Sequence, residues 1–84
     1  MIWIARYHKL DNKNKVIQSK IGNFVGGNSG EVIGRVCKKL GLHAPENHER
    51  EGCRCEFVTP EPQNPEALET HIIEVGPLDV MIDL

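Results

Sequence analysis

NSGEVIGRVCKKLGL, residues 28–42, is the stretch around which the fold is read. Val32, Ile33, Val36, Cys37 and Leu40 recur at the spacing that puts apolar side chains on one stripe of a helix. Asn28 is a good N-cap, and Glu31 follows three residues later as in a capping box. Lys38 and Lys39 fall in the last turn, where the carbonyl end of the helix favours cations. Gly41 can take the left-handed conformation that closes a helix, and Leu42 can supply the closing apolar contact. Gly34 inside the helix costs about 1 kcal/mol relative to alanine. A closely packed neighbour is the expected reason for it.

Upstream, Ile2, Trp3, Ile4 and Ala5 are apolar on both faces of a strand, which Tyr7 and Leu10 extend. Asp11-Asn12-Lys13-Asn14 is turn chemistry. Lys15–Val25 reads as the returning strand of a hairpin, with Ile17, Ser19 and Ile21 on one face and a bulge expected at Gly22.

Downstream, His43–Glu51 is polar and acidic and reads as an irregular connection. Cys53, Cys55 and Phe57 alternate with Arg54 and Glu56, a strand with a Cys-Cys-Phe inward face. Thr59–Pro65 holds three prolines and is expected to be a stiff, extended connector. Asn64 as N-cap and Pro65 at the first helical position predict a second helix, with Leu68, Ile72 and Val75 on its stripe and Gly76-Pro77 as its stop. The β-branched residues of 70–75 leave a strand open there. Leu78, Val80, Ile82 and Leu84 alternate as a final strand.

The expected architecture is one small α+β domain over residues 1–84, a two-layer sandwich in the order β-β-α-β-α-β. Its sheet is mostly antiparallel, with two helices on one face. No apolar run reaches transmembrane length, so no membrane role is expected. MIWIARYHK lacks the basic leader of a signal peptide. Three cysteines in such a chain are expected to be reduced thiols in a cytoplasm.

Charge is uneven. Residues 1–43 carry eight Lys and Arg against Asp11 and Glu31, a balance of +6. Residues 44–84 carry Arg50 and Arg54 against ten acidic residues, a balance of −8. Such asymmetry marks two attracting surfaces or a binding face, unless folding mixes the charges.

No catalytic motif is present: there is no G-x-S-x-G, no H-E-x-x-H and no Walker loop. The sequence therefore assigns no enzyme activity and no cofactor. Cys37 lies on the helix stripe, where a thiol is buried and inert, and His71 sits beside the second apolar stripe as a structural residue. His43, His48, Cys53 and Cys55 are potential ligands for a tetrahedral metal, but their spacing matches no usual zinc pattern, so core packing is preferred for the cysteines. Gly27, Asn28, Ser29 and Gly30 form a glycine-rich helix start that suits an anion. Trp3, Tyr7 and Lys9 share one face of the first strand and are expected on the helix-free side of the sheet, as an interface.

The resulting expectation is a small binding module, acting as a homodimer or through a protein partner. The alternatives are a small-ligand or anion site, or an enzyme, at residues 26–30, and nucleic-acid binding through the basic hairpin. The net charge of −2 and pI near 6 disfavour the last.

Overall fold

The helix forms where its caps put it. In a computed structural model, which describes residues 1–43, 49–51 and 53–78, α1 spans Ser29–Leu40. Asn28 is extended, and its side chain accepts a 2.9 Å bond from the Glu31 N–H. Gly41 is left-handed at φ 70°. Its N–H reaches the Lys38 carbonyl at 3.2 Å, while Leu42 N–H reaches that of Cys37 at 2.8 Å. This pair of bonds is a Schellman closure. Val32, Ile33, Val36 and Cys37 are buried. Gly34 has no close neighbour: a β-carbon there would meet nothing within 4 Å.

The first hairpin also forms as its residues dictate. β1 (Ile2–Leu10) pairs antiparallel with β2 (Val16–Val25). Asp11 Oδ1 accepts from the N–H groups of Lys13 and Lys15, and Asn14 takes the left-handed conformation at φ 62°. The register shift lies between Lys9 and Leu10, not at Gly22, which pairs regularly with Ala5.

Beyond the helix, β3 (Glu49–Glu51), β4 (Arg54–Glu61) and β5 (Asn64–Pro77) complete a five-stranded sheet in the order β2-β1-β5-β4-β3. Every neighbouring pair is antiparallel. The expected second helix is therefore strand β5, and one helix rather than two covers the sheet. Asn64 opens that strand instead of capping a helix. Ala67, Glu69, His71, Ile73 and Val75 are buried in strict alternation. Their β-branched neighbours favour the pleated backbone once β1 and β4 flank it on both sides. The expected connector over Thr59–Pro65 is instead a tight hairpin, in which Glu61 pairs with Asn64 across Pro62-Gln63. Among the described residues β3 pairs only with Arg54–Glu56 of β4, and Pro60 pairs with Leu68 of β5. The expected final strand over 78–84 lies outside the described residues from 79 onward.

Helix and sheet make two layers. Trp3, Ala5 and Tyr7 of β1, Cys55 and Phe57 of β4, and Ile73 and Val75 of β5 close against the buried stripe of α1. Among the described residues no helix is long and apolar enough to cross a membrane.

Candidate functional site

Beneath the C-terminal end of α1, three strands bring polar side chains together. Tyr7 of β1, His71 of β5 and Thr59 of β4 all point to the helix-covered face. Tyr7 Oη lies 2.7 Å from His71 Nδ1, and Thr59 Oγ1 lies 2.7 Å from Nε2. The imidazole stacks between two rings, with centroids 5.9 Å from Tyr7 and 5.0 Å from Phe57. Burial holds the His71 pKa below its usual range, outweighing the opposing pull of Glu69. A neutral imidazole has one donor and one acceptor nitrogen, so one hydroxyl donates to the ring and the other accepts from it. Burial, then Glu69, pushes the Tyr7 phenol up to about 12. Both groups stay neutral across the physiological range. With both ring nitrogens engaged, this histidine ties β1, β5 and β4 together.

A cleft opens beside this network, between α1 and β2. One cavity of about 280 Å³ lies over Ala5 and Gly22, and a second of about 330 Å³ reaches His71 and Thr59. Lys20 and Lys39 line both. Lys9 lines the second and lies 3.7 Å from the Glu69 carboxylate.

The opposite face of the sheet is bare of any described element. Ile2, Val16, Ile21, Val25, Val58 and Leu68 are about half exposed or more, and strand alternation places them on this side. Arg6, Glu74 and Arg54 form one cross-strand row among them, with Arg54 bonded to Glu56 at 2.9 Å. The charge asymmetry of the sequence survives folding. β1 and β2 hold Arg6, Lys9 and Lys20 and no acidic residue. β3, β4 and β5 hold seven glutamates against two arginines. By composition the sheet is cationic toward β2 and anionic toward β3, but Lys9 and Lys20 point to the helix-covered side and only Arg6 of the three to the open one.

The residues singled out in the sequence fall as follows. Trp3 and Tyr7 are not on the helix-free face. They are buried under α1, 7% and 5% exposed, because odd positions of β1 face the helix. Trp3 Nε1 donates to the Gly26 carbonyl at 3.0 Å. Lys9 shares that face, at its rim. The sheet does have an apolar open face, but β1 contributes to it through even-numbered residues such as Ile2.

At the helix start, Glu31 already provides a carboxylate. It accepts from the Gly27 N–H at 3.1 Å and pairs with Arg35 at 2.9 Å. These bonds, the Gly27 N–H first, hold its pKa below the usual range. Of Gly27, Asn28, Ser29 and Gly30, the Gly27 N–H is thus engaged by a carboxylate that the chain itself supplies, while the Asn28 side chain accepts from the Glu31 N–H. Gly26 is there for packing: a β-carbon would lie 2.7 Å from Val32 Cγ2.

Of the metal candidates, Cys55 is buried whereas Cys53 and His43 are exposed, and His48 lies outside the described residues. The expected inward face therefore begins at Cys55. Among the described residues no group of three or more His, Cys, Asp or Glu side chains is placed to hold a metal ion. Cys37 is buried, and its pKa is raised by burial and then by nearby Cys55, as suits an inert packed thiol.

The reading from sequence missed Thr59 and Glu69 and set His71 on a helix. The alternation Ala67-Glu69-His71-Ile73-Val75 was the available signal for all of β5. Set beside known proteins, the chain matches no family model, no curated protein and no solved structure.

Proposed function

We propose that this chain is a binding module that pairs with a second copy of itself through the open face of its sheet. The observation that carries this reading is the segregation of exposed apolar side chains. Ile2, Val16, Ile21, Val25, Val58 and Leu68 all lie opposite the helix, on a face that no described element covers. Apolar patches of this kind mark interaction surfaces. A second copy suits the face because a twofold axis running along the strands sets β1 and β2 of one copy over β4 and β5 of the other. Arg6, the basic residue that β1 turns to this face, then lies over strands that turn Glu56 and Glu74 to it. Aligned stacking of two such sheets is a common packing, and a twofold dimer is the commonest soluble assembly. Apolar contact supplies the affinity, and charge fixes the orientation.

Sedimentation of the full chain at micromolar concentration tests the proposal. A dimer is expected that persists at about 1 M salt, where the Debye length is about 3 Å. Val58→Glu should yield a monomer, and Lys38→Glu on the outer face of α1 should leave the mass unchanged. A wild-type monomer at low and high salt overturns the reading.

A further inference from the structure

We infer that the cleft between α1 and β2 is a binding site for a small organic anion with a flat apolar body. It opens on the helix-covered side of the sheet, away from the proposed dimer face except at the β2 edge, where Ile21 lines both.

The hollow begins in the sequence. Ala5 and Gly22 are direct cross-strand partners on the helix-covered side, so the two smallest side chains of the hairpin meet at one point. Above them are Val36 and Leu40 of α1, and Phe24 forms one end wall. The result is a cavity of about 280 Å³ with a largely apolar lining, close to the lower limit of about 300 Å³ for ligand pockets. The space at Gly22 is real: a β-carbon there would meet only the Phe24 ring edge, at 3.4 Å. Neither turn geometry nor a positive φ requires glycine at this position.

The mouth of the hollow is cationic. Lys20 and Lys39 line it, and no carboxylate does. Among the described residues, Lys9, Arg35 and Arg54 each have an acidic partner, whereas Lys20 and Lys39 form no ion pair. Glu69, the carboxylate of the adjoining cavity, is engaged by Lys9 at 3.7 Å. Two uncommitted ammonium groups at the rim of an apolar hollow define the ligand class. The body enters over Ala5 and Gly22, and a carboxylate or similar anionic head stays at the lysines.

Nuclear magnetic resonance titration of the full-length protein with 2-naphthoate tests this, with uncharged 2-naphthalenemethanol as its isostere. Saturable shifts are expected at the Gly22, Phe24 and Leu40 amides, and the alcohol should bind roughly tenfold more weakly or worse. Gly22→Leu should fill the hollow and abolish binding. The exposed pair Lys20→Gln/Lys39→Gln should keep the fold and reduce naphthoate affinity to that of the alcohol. Shifts confined to open-face residues such as Val58 and Leu68, or none at all, overturn the site. Equal binding of acid and alcohol overturns the anionic head. The dimer mass is measured separately, so failure here leaves the association proposal standing.

Discussion

Tyr7 Oη meets His71 Nδ1 at 2.7 Å, joining β1 to β5 at a point where both side chains are at most 5% exposed. The contact couples residues near the two ends of the described chain. Removing the hydroxyl leaves a ring nitrogen buried beside no partner. Tyr7→Phe is therefore expected to destabilise by about 1–3 kcal/mol, read as a lower urea midpoint at unchanged slope. Thr59→Val should cost a similar amount from the other side of the ring. If both variants match the wild type, the network is ornamental to stability.

The same pair predicts a stability plateau. The His71 pKa is lower in the folded chain than in the unfolded one, so the unfolded state binds the proton more readily. Its contribution is complete above about pH 6.5 and declines as pH falls through that value toward the folded pKa. The Tyr7 pKa is raised to about 12, so the unfolded state loses its proton first. That contribution is complete below about pH 10 and is lost as pH rises toward 12. Melting temperature followed from pH 5 to pH 12 should fall on both sides. In Tyr7→Phe the alkaline decline should shrink.

Two helix-region glycines should respond with opposite signs. Gly34 is exposed, and a β-carbon there touches nothing, so Gly34→Ala should stabilise by up to about 1 kcal/mol. At Gly26 the added carbon would press on Val32, which is fully buried and has no room to move. Gly26→Ala should destabilise by about 1–3 kcal/mol through overpacking. Thermal melts of the two single variants decide this, and a shift in the same direction for both would contradict the packing described.

Ile73 is the centre of the sheet. It is 0% exposed and pairs with Tyr7 on one side and Cys55 on the other. Ile73→Ala is expected to cost about 2–5 kcal/mol. Ile72→Ala, one residue along on the open face, should cost clearly less in a monomeric state held by dilution. Equal losses would imply helical rather than strand spacing over 70–75.

The helix and the first hairpin were legible because their signals are local. Asn28, Glu31 and Gly41 bond within one turn of themselves, and Asp11 organises its own turn. β5 was not legible for the opposite reason. Leu68, Ile72 and Val75 satisfy a helical period, while Ala67, His71, Ile73 and Val75 fit an alternating one. Only the strands on either side decide between them, and those come from distant sequence. The prolines of 59–65 correctly exclude helix, but they do not announce a hairpin, because the Glu61–Asn64 closure depends on β4 and β5 pairing along their whole length. The site suffered from the same error. His71 was seen without Tyr7 and Thr59 because both partners reach it across the β5 pairings. The interface expectation placed Trp3 and Tyr7 on the wrong side because Ile2–Ala5 is apolar on both faces, and a strand pattern with no alternation carries no direction.

The sheet order also sets a sequence of events. β1–β2 and β4–β5 are each closed by a short turn, whereas the seam between β1 and β5 runs from Trp3 with Pro77 to Leu10 with Thr70. Loop-closure entropy for the seam falls due before its contacts reward it. The chain should therefore fold as two preformed hairpins that meet along this line. Asn14→Ala, which removes a residue suited to the left-handed turn, should slow refolding while leaving unfolding nearly unchanged. Ile73→Val, in the seam itself, should mainly hasten unfolding. Stopped-flow chevrons of the two variants would separate these arms, and the reverse pattern would place the seam ahead of the hairpins.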